Sequence, residues 1–189
     1  CLKYGFTVHH VIALEMVLPD GELIQVGGQS VDTPGFDLLG TIVGSEGTLG
    51  IVTKATLRLL RRPESKKMLV AAFDSTDSAG EAVSGIIAGG IIPAAVEMMD
   101  RMTIEAAESA VHPNFPDAEA LLLVEIDGPL LEVEIVFNQV QEIVLRNSAR
   151  EMRVATSEVE REQYWRGRKA AFAAMGRVSP NYYVQDGVI

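Results

Sequence analysis

The chain has 189 residues, 16 basic and 26 acidic side chains and a formal net charge of −10. With 22% charged and 48% hydrophobic residues it has the composition of an ordinary soluble domain, and it is long enough to bury a core without staples. The acidic balance argues against a nucleic-acid partner. A single cysteine, Cys1, rules out an internal disulfide, and the absence of any apolar run of roughly 18 residues rules out a transmembrane helix.

Residues 11–18 form an apolar run broken by Glu15. Pro19-Asp20-Gly21 then supplies turn chemistry, because proline fixes φ and glycine tolerates positive φ. Residues 22–26 then resume as a second strand, which makes 11–26 a β-hairpin. Residues 27–50 hold seven glycines and little periodicity, which predicts a long loop of special backbone. Residues 51–60 alternate, with Ile51, Thr53, Ala55, Leu57 and Leu59 on one side, and read as a half-buried strand. Arg61-Arg62-Pro63-Glu64 marks a domain boundary, giving domains 1–62 and 63–189.

After Pro63 strands and helices alternate. Strands are expected at 68–73, 94–99, 120–126 and 150–155. Helices are expected from Ser78, which forms a capping-box pattern with Glu81, at 101–110, along the Val133, Val136, Phe137, Val140, Val144 face, and from Ser157 with Glu160 to about Met175. This order suggests an α+β fold with a ferredoxin-like antiparallel sheet and helices on one face, with a parallel doubly wound sheet as the alternative. Both chain ends read as interior sequence. The opening residues lead straight into strand-like sequence, and 181–189, with Tyr182, Tyr183, Val188 and Ile189, looks like a further β segment. A fragment of a longer protein is therefore expected, against the alternative of processed or engineered ends.

The chemistry centres on the string from Val43 to Thr53. Its glycines, Gly44, Gly47 and Gly50, are spaced G-x-x-G-x-x-G and precede a strand. A dinucleotide fingerprint would open a helix, and a phosphate loop would need Gly-Lys-Ser/Thr, so neither nucleotide motif fits. Spacing alone suits a tight loop between strands at least as well as a ligand cradle. Three histidines, His9, His10 and His112, lack metal-ligand spacing and read as non-catalytic. On the last helix Trp165, Arg168, Phe172 and Met175 share one face, which places a cation on an apolar stripe. Arg168 either snorkels or pairs with a neighbour such as Glu160 or Glu162, or it binds a carboxylate ligand through a two-pronged hydrogen bond.

The whole Val43–Thr53 string resembles the end of the flavin domain in FAD-linked oxidases of the vanillyl-alcohol-oxidase type, in particular the glycolate oxidase D subunit and the D-lactate and D-2-hydroxyglutarate dehydrogenases. Leu2-Lys3-Tyr4-Gly5, Leu18-Pro19-Asp20-Gly21-Glu22, Ala55-Thr56-Leu57-Arg58-Leu59 and Tyr182-Tyr183 with Asp186-Gly187 agree with it. The resemblance implies a partial flavin-binding domain followed by a truncated substrate domain. It implies FAD as cofactor, with Gly44, Ser45, Glu46, Gly47, Gly50 and Ile51 as flavin neighbours; Glu46 could equally cap its own loop, and Thr48 could serve only the loop backbone. It implies that Arg168 holds a substrate carboxylate. Phe172 stands where the 2-hydroxyglutarate enzyme has a threonine, which favours a small 2-hydroxy acid over a diacid. Catalytic and metal-ligating groups are implied to lie outside these residues, so the 189 residues alone are expected to lose FAD and to be inactive.

The expected reaction is oxidation of glycolate or D-lactate by hydride transfer to flavin. Electrons would pass to a quinone or a partner subunit rather than to NAD. The alternative is a non-catalytic flavin-binding or scaffold subunit. The expected location is cytoplasmic, with the inner membrane face as a peripheral site, and oligomerisation is left open.

Overall fold

The computed structural model describes residues 2–28, 35–181 and 183, which divide into two compact units between Arg62 and Pro63. The strand-like reading of 181–189 falls largely outside the described residues, as does Cys1.

The first unit is a three-stranded antiparallel sheet. β1 (Val11–Val17) lies between β2 (Leu23–Gly27) and β3 (Ile51–Leu57). The β1–β2 hairpin closes through hydrogen bonds from Gly21 N to Leu18 O and from Leu18 N to Glu22 O, with Gly21 at φ +88°. Its buried side chains are Val11, Leu14 and Met16, all from the central strand. A five-residue helix, α1 (Leu38–Ile42), interrupts the glycine-rich stretch, with Asp37 Oδ1 accepting from Gly40 N at 2.9 Å.

β3 corrects the half-buried reading, because every residue from Ile51 to Leu57 is exposed among the described residues. It is an edge strand, and its register against β1 slips between Glu15 and Met16, leaving Thr53 unpaired. The bulge turns the Thr53 hydroxyl onto Glu15, donating to its Oε1 at 2.8 Å, and so breaks the alternation that the sequence pattern assumed. Lys54 Nζ reaches the same carboxylate at 3.0 Å. Lys54 first and Thr53 second hold Glu15 below the usual carboxylate range.

The second unit carries a four-stranded antiparallel sheet in the order β5-β6-β4-β7: β4 is Ser65–Phe73, β5 Ala95–Asp100, β6 Ala120–Gly128 and β7 Glu151–Val154. The helices are α2 (Thr76–Ala88), α3 (Arg101–Val111), α4 (Leu130–Arg146) and α5 (Glu158–Val178). Two β-α-β units, β4-α2-β5 and β6-α4-β7, interleave as a split pair.

The helices lie on both faces of this sheet, not on one. Leu69, Ala71 and Phe73 of β4 pack with Ala82 and Ile86 of α2 and Val133 and Phe137 of α4. The alternate residues Met68, Val70 and Ala72 pack on the other face with Ile104 and Ala107 of α3 and Tyr164 and Ala171 of α5. The physical reason is that a strand covered on both faces reads as a continuous apolar run rather than an alternation. Residues 68–73 and 121–124 are such runs. α2 also begins earlier than its capping pattern implied: Ser75 is the N-cap, its Oγ accepting from Ser78 N at 3.1 Å, so Ser78 lies inside the helix.

Candidate active site

The glycine string forms one wall of a cavity of about 340 Å³ in the first unit. Val11 and Leu14 from β1 give it an apolar floor, and 42–47 with Gly50, Ile51 and Val52 give it a rim. All six expected flavin neighbours, Gly44, Ser45, Glu46, Gly47, Gly50 and Ile51, line it.

Their roles separate on backbone geometry. Gly44 has φ +93°, and a Cβ built there would meet nothing within 4 Å, so it faces open space. Gly47, at φ +79°, is nearly as open. Gly50, at φ +152°, is different: a Cβ would meet Val17 O at 2.6 Å and Met16 Cε at 2.5 Å. Gly50 is therefore glycine because β1 runs directly behind it. Within the loop Thr48 serves the backbone, its N and Oγ1 both donating to Ser45 O. Glu46 takes the left-handed conformation at φ +51°, and among the described residues its carboxylate accepts no loop N–H. The N–H groups of Gly44, Glu46 and Gly47 likewise meet no acceptor among the described residues. An apolar floor beside unpaired donors on open backbone fits the edge of a flat, polar-rimmed cofactor such as FAD.

In the second unit Arg168 lies on α5. The sequence reading placed it on the apolar stripe of Trp165, Phe172 and Met175, but the buried face of α5 is Tyr164, Gly167, Ala171 and Ala174. Beyond Tyr164 that face is small, and α5 crosses close to the loop after α3: a Cβ on Gly167 would meet Pro113 Cβ at 2.6 Å. Arg168 thus sits at the margin of the packed face, half-buried rather than dry, and Phe172 is exposed.

Its partner is neither Glu160 nor Glu162 but Glu97 on β5. Arg168 Nε donates to Glu97 Oε2 at 3.1 Å, and Nη2 lies 2.9 Å from the same oxygen in an ion pair, so the carboxylate takes the side edge of the guanidinium. Glu160 is committed elsewhere. It closes the N-terminus of α5, its Oε2 accepting from Thr156 N and Oγ1, which holds it below the usual carboxylate range.

One turn before Arg168, Trp165 Nε1 donates to Glu125 Oε2 at 2.7 Å, and Arg161 Nη1 donates to the same oxygen at 2.8 Å. Arg161 also binds Glu158 through Nε and Nη2. Glu158 first, with Glu125, raises the Arg161 pKa. Each guanidinium nitrogen of Arg161 donates to a glutamate, whereas the end edge of Arg168, Nη1 with the second hydrogen of Nη2, meets no acceptor among the described residues.

Sequence reasoning missed Glu97, Glu125 and Arg161. A signal was available: Glu97 and Glu125 interrupt the apolar runs of their strands, and a carboxylate taken out of water demands a partner. The histidines serve structure. His9 Nδ1 accepts from Phe6 N, His10 Nε2 lies 2.7 Å from Tyr4 O, and His112 caps α3 with left-handed backbone.

Residues 62–189 match the family described as FAD linked oxidases, C-terminal domain. The chain belongs to the FAD linked oxidases. It is 48% identical to glycolate oxidase subunit GlcD of Escherichia coli (strain K12), over 100% of this chain and 38% of that protein. To GlcD of Bacillus subtilis (strain 168) it is 40% identical, over 100% of this chain and 40% of that protein. To a probable mitochondrial D-lactate dehydrogenase of Danio rerio it is 32% identical, over 95% of this chain and 37% of that protein. The chain thus spans about two-fifths of the length of these relatives. Among solved structures, alkyldihydroxyacetonephosphate synthase matches with a TM-score of 0.68 at 20% identity, covering 93% of this chain and 35% of that one. A 4-ethylphenol oxidase from Gulosibacter chungangensis matches with a TM-score of 0.60 at 15% identity, over 92% of this chain and 41% of that one. These two likenesses concern the fold alone.

Proposed function

We propose that this chain forms part of an FAD-dependent dehydrogenase of small D-2-hydroxy acids, glycolate or D-lactate. The observation that carries the reading is Arg168: a half-buried guanidinium in an FAD linked oxidase, with its side edge fixed and its end edge without an acceptor among the described residues. Two parallel N–H donors on a rigid plane suit a carboxylate, and a lysine could not reproduce them.

FAD, when bound, supplies the hydride acceptor. The chain's own contribution is to bind and orient. Gly44, Ser45, Glu46, Gly47, Gly50 and Ile51 offer backbone and an apolar floor to the cofactor, and Arg168 holds the substrate by its carboxylate. The Arg168 pair would fix the plane of the carboxylate and with it the position of the α-carbon, leaving other groups to set the rotation about the bond between them. The hydroxyl proton and the two electrons leave through groups other than these: a base outside the residues singled out, and a quinone or partner subunit on the cytoplasmic side. GlcD is by name a subunit, which supports an assembly of this kind.

A rival reading, a non-catalytic flavin-binding or scaffold subunit, is favoured by the fact that Glu97 already engages Arg168. Anaerobic addition of glycolate or D-lactate to the full-length flavoprotein separates the two. Bleaching of the oxidised-flavin band supports the enzyme, and a spectrum unchanged by either acid supports the scaffold.

A further inference from the structure

We infer that Glu97 is a positioning residue of the carboxylate site, and that its charge makes the site select one carboxylate over two. The inference rests on the reading of Arg168 as the substrate's anchor.

Three observations lead there. Glu97 binds only the side edge of the Arg168 guanidinium, through Nε and Nη2, with one oxygen. That leaves the plane fixed and the end edge turned away from the carboxylate, the arrangement a second, incoming carboxylate needs. A side chain with several free torsions would otherwise sample many directions, and the pair removes that freedom before substrate arrives.

Second, the clamp is built into the sheet. Ala95 of β5 is in register with Glu125 of β6, and Glu97 with Leu123, so Glu97 and Glu125 project from neighbouring strands on the same face. Glu125, which is buried, anchors Trp165, and Glu97 anchors Arg168, three residues further along α5. Two carboxylates on one rigid sheet therefore set both the rotation of α5 and the direction of its guanidinium.

Third, Glu97 already balances the charge of Arg168, its ion-pair partner at 2.9 Å. A monocarboxylate at the end edge of Arg168 meets its cation directly. A dicarboxylate must place a second negative charge near a cation that Glu97 already neutralises, in a half-buried setting less screened than bulk water. Phe172, one turn on, adds an aromatic ring rather than a donor.

The test uses the full-length flavoprotein and two variants. Glu97→Gln keeps the shape and an acceptor oxygen but removes the charge; Glu97→Ala removes both. Pyruvate and 2-oxoglutarate serve as one-carboxylate and two-carboxylate probes in calorimetric binding, with KM for D-lactate and thermal unfolding measured on the same samples. In Glu97→Gln the ratio of the two dissociation constants should shift at least tenfold toward 2-oxoglutarate, with pyruvate affinity held or improved. In Glu97→Ala, KM for D-lactate should rise roughly tenfold, because the guanidinium is no longer held. An unchanged ratio in Glu97→Gln overturns the inference, as does an unchanged KM in a folded Glu97→Ala. If Glu97→Ala does not fold, the Glu97→Gln ratio decides alone. Failure of the underlying reading looks different: wild-type protein then binds neither oxo acid and its flavin is not reduced by D-lactate, which overturns both.

Discussion

At the scale of single residues, the three glycines of the 44–50 string divide into two kinds. Gly50 lies against β1, and a methyl group there would press on the backbone oxygen of Val17, which cannot turn aside. Overpacking of this sort costs about 1–3 kcal/mol. Gly44 has room for a methyl group and pays only for its positive φ, about 1 kcal/mol. Gly50→Ala should therefore lower the melting temperature clearly more than Gly44→Ala, whereas Gly44→Ala should weaken flavin binding with only the smaller loss of stability. Calorimetry and flavin titration on both variants check the division; equal losses of stability would contradict it. Glu160 gives a second residue-level expectation. Its folded pKa is lowered chiefly by the Thr156 N–H. A lowered carboxylate contributes stability that is present above its ordinary pKa and is lost as pH falls through the depressed value. Glu160→Gln should therefore lose stability at neutral pH and show a shallower decline of melting temperature on acidification than wild type.

At the scale of elements, the crossing of α5 over the loop after α3 depends on Gly167. Alanine would improve helix propensity by about 1 kcal/mol. Against that, its Cβ would meet Pro113 Cβ and Phe115 Cζ at 2.6 and 2.7 Å, and neither a proline ring nor the buried Phe115, stacked on Tyr164, can move freely. Overpacking wins, so Gly167→Ala should lower stability by about 1–2 kcal/mol in denaturant unfolding; a stabilised variant would mean the crossing is looser than described. The elements themselves were largely legible in the sequence. The hairpin at 11–26 was carried by Pro19-Asp20-Gly21, and the helices after Pro63 by their apolar spacing. Two things were not legible. The bulge at Thr53 depends on a cross-strand hydroxyl–carboxylate contact that no local pattern encodes. The apolar stripe of α5 was read from hydrophobicity, whereas close packing selected Gly167, Ala171 and Ala174 for their small size. The loop of the candidate cofactor site could be found from glycine spacing plus resemblance. The partner of Arg168 could not, because Glu97 lies 71 positions away and only the sheet register brings it there.

At the scale of the whole molecule, two units with separate cores follow one another along the chain. The first buries few apolar side chains, and the second has a sheet covered on both faces. The join at Arg61-Arg62-Pro63 carries two exposed arginines. Trypsin should cut early after Arg61, Arg62 being protected by the following proline, and leave the part from Arg62 onward folded. First cleavage inside α4 would count against this division. The candidate cofactor cavity is lined, among the described residues, by the first unit, with an open side at Gly44. The 189 residues purified by themselves should therefore be colourless, and a stoichiometric flavin band would contradict that. The central claim, that Arg168 holds the carboxylate of a 2-hydroxy acid, is tested most directly by Arg168→Lys in the full-length flavoprotein, with KM for D-lactate or glycolate and melting temperature measured on one sample. Lysine keeps the charge and loses the fork, so kcat/KM should fall about tenfold or more, through KM, with little change in melting temperature. An unchanged KM together with a clear loss of stability would show that Arg168 serves only its pair with Glu97.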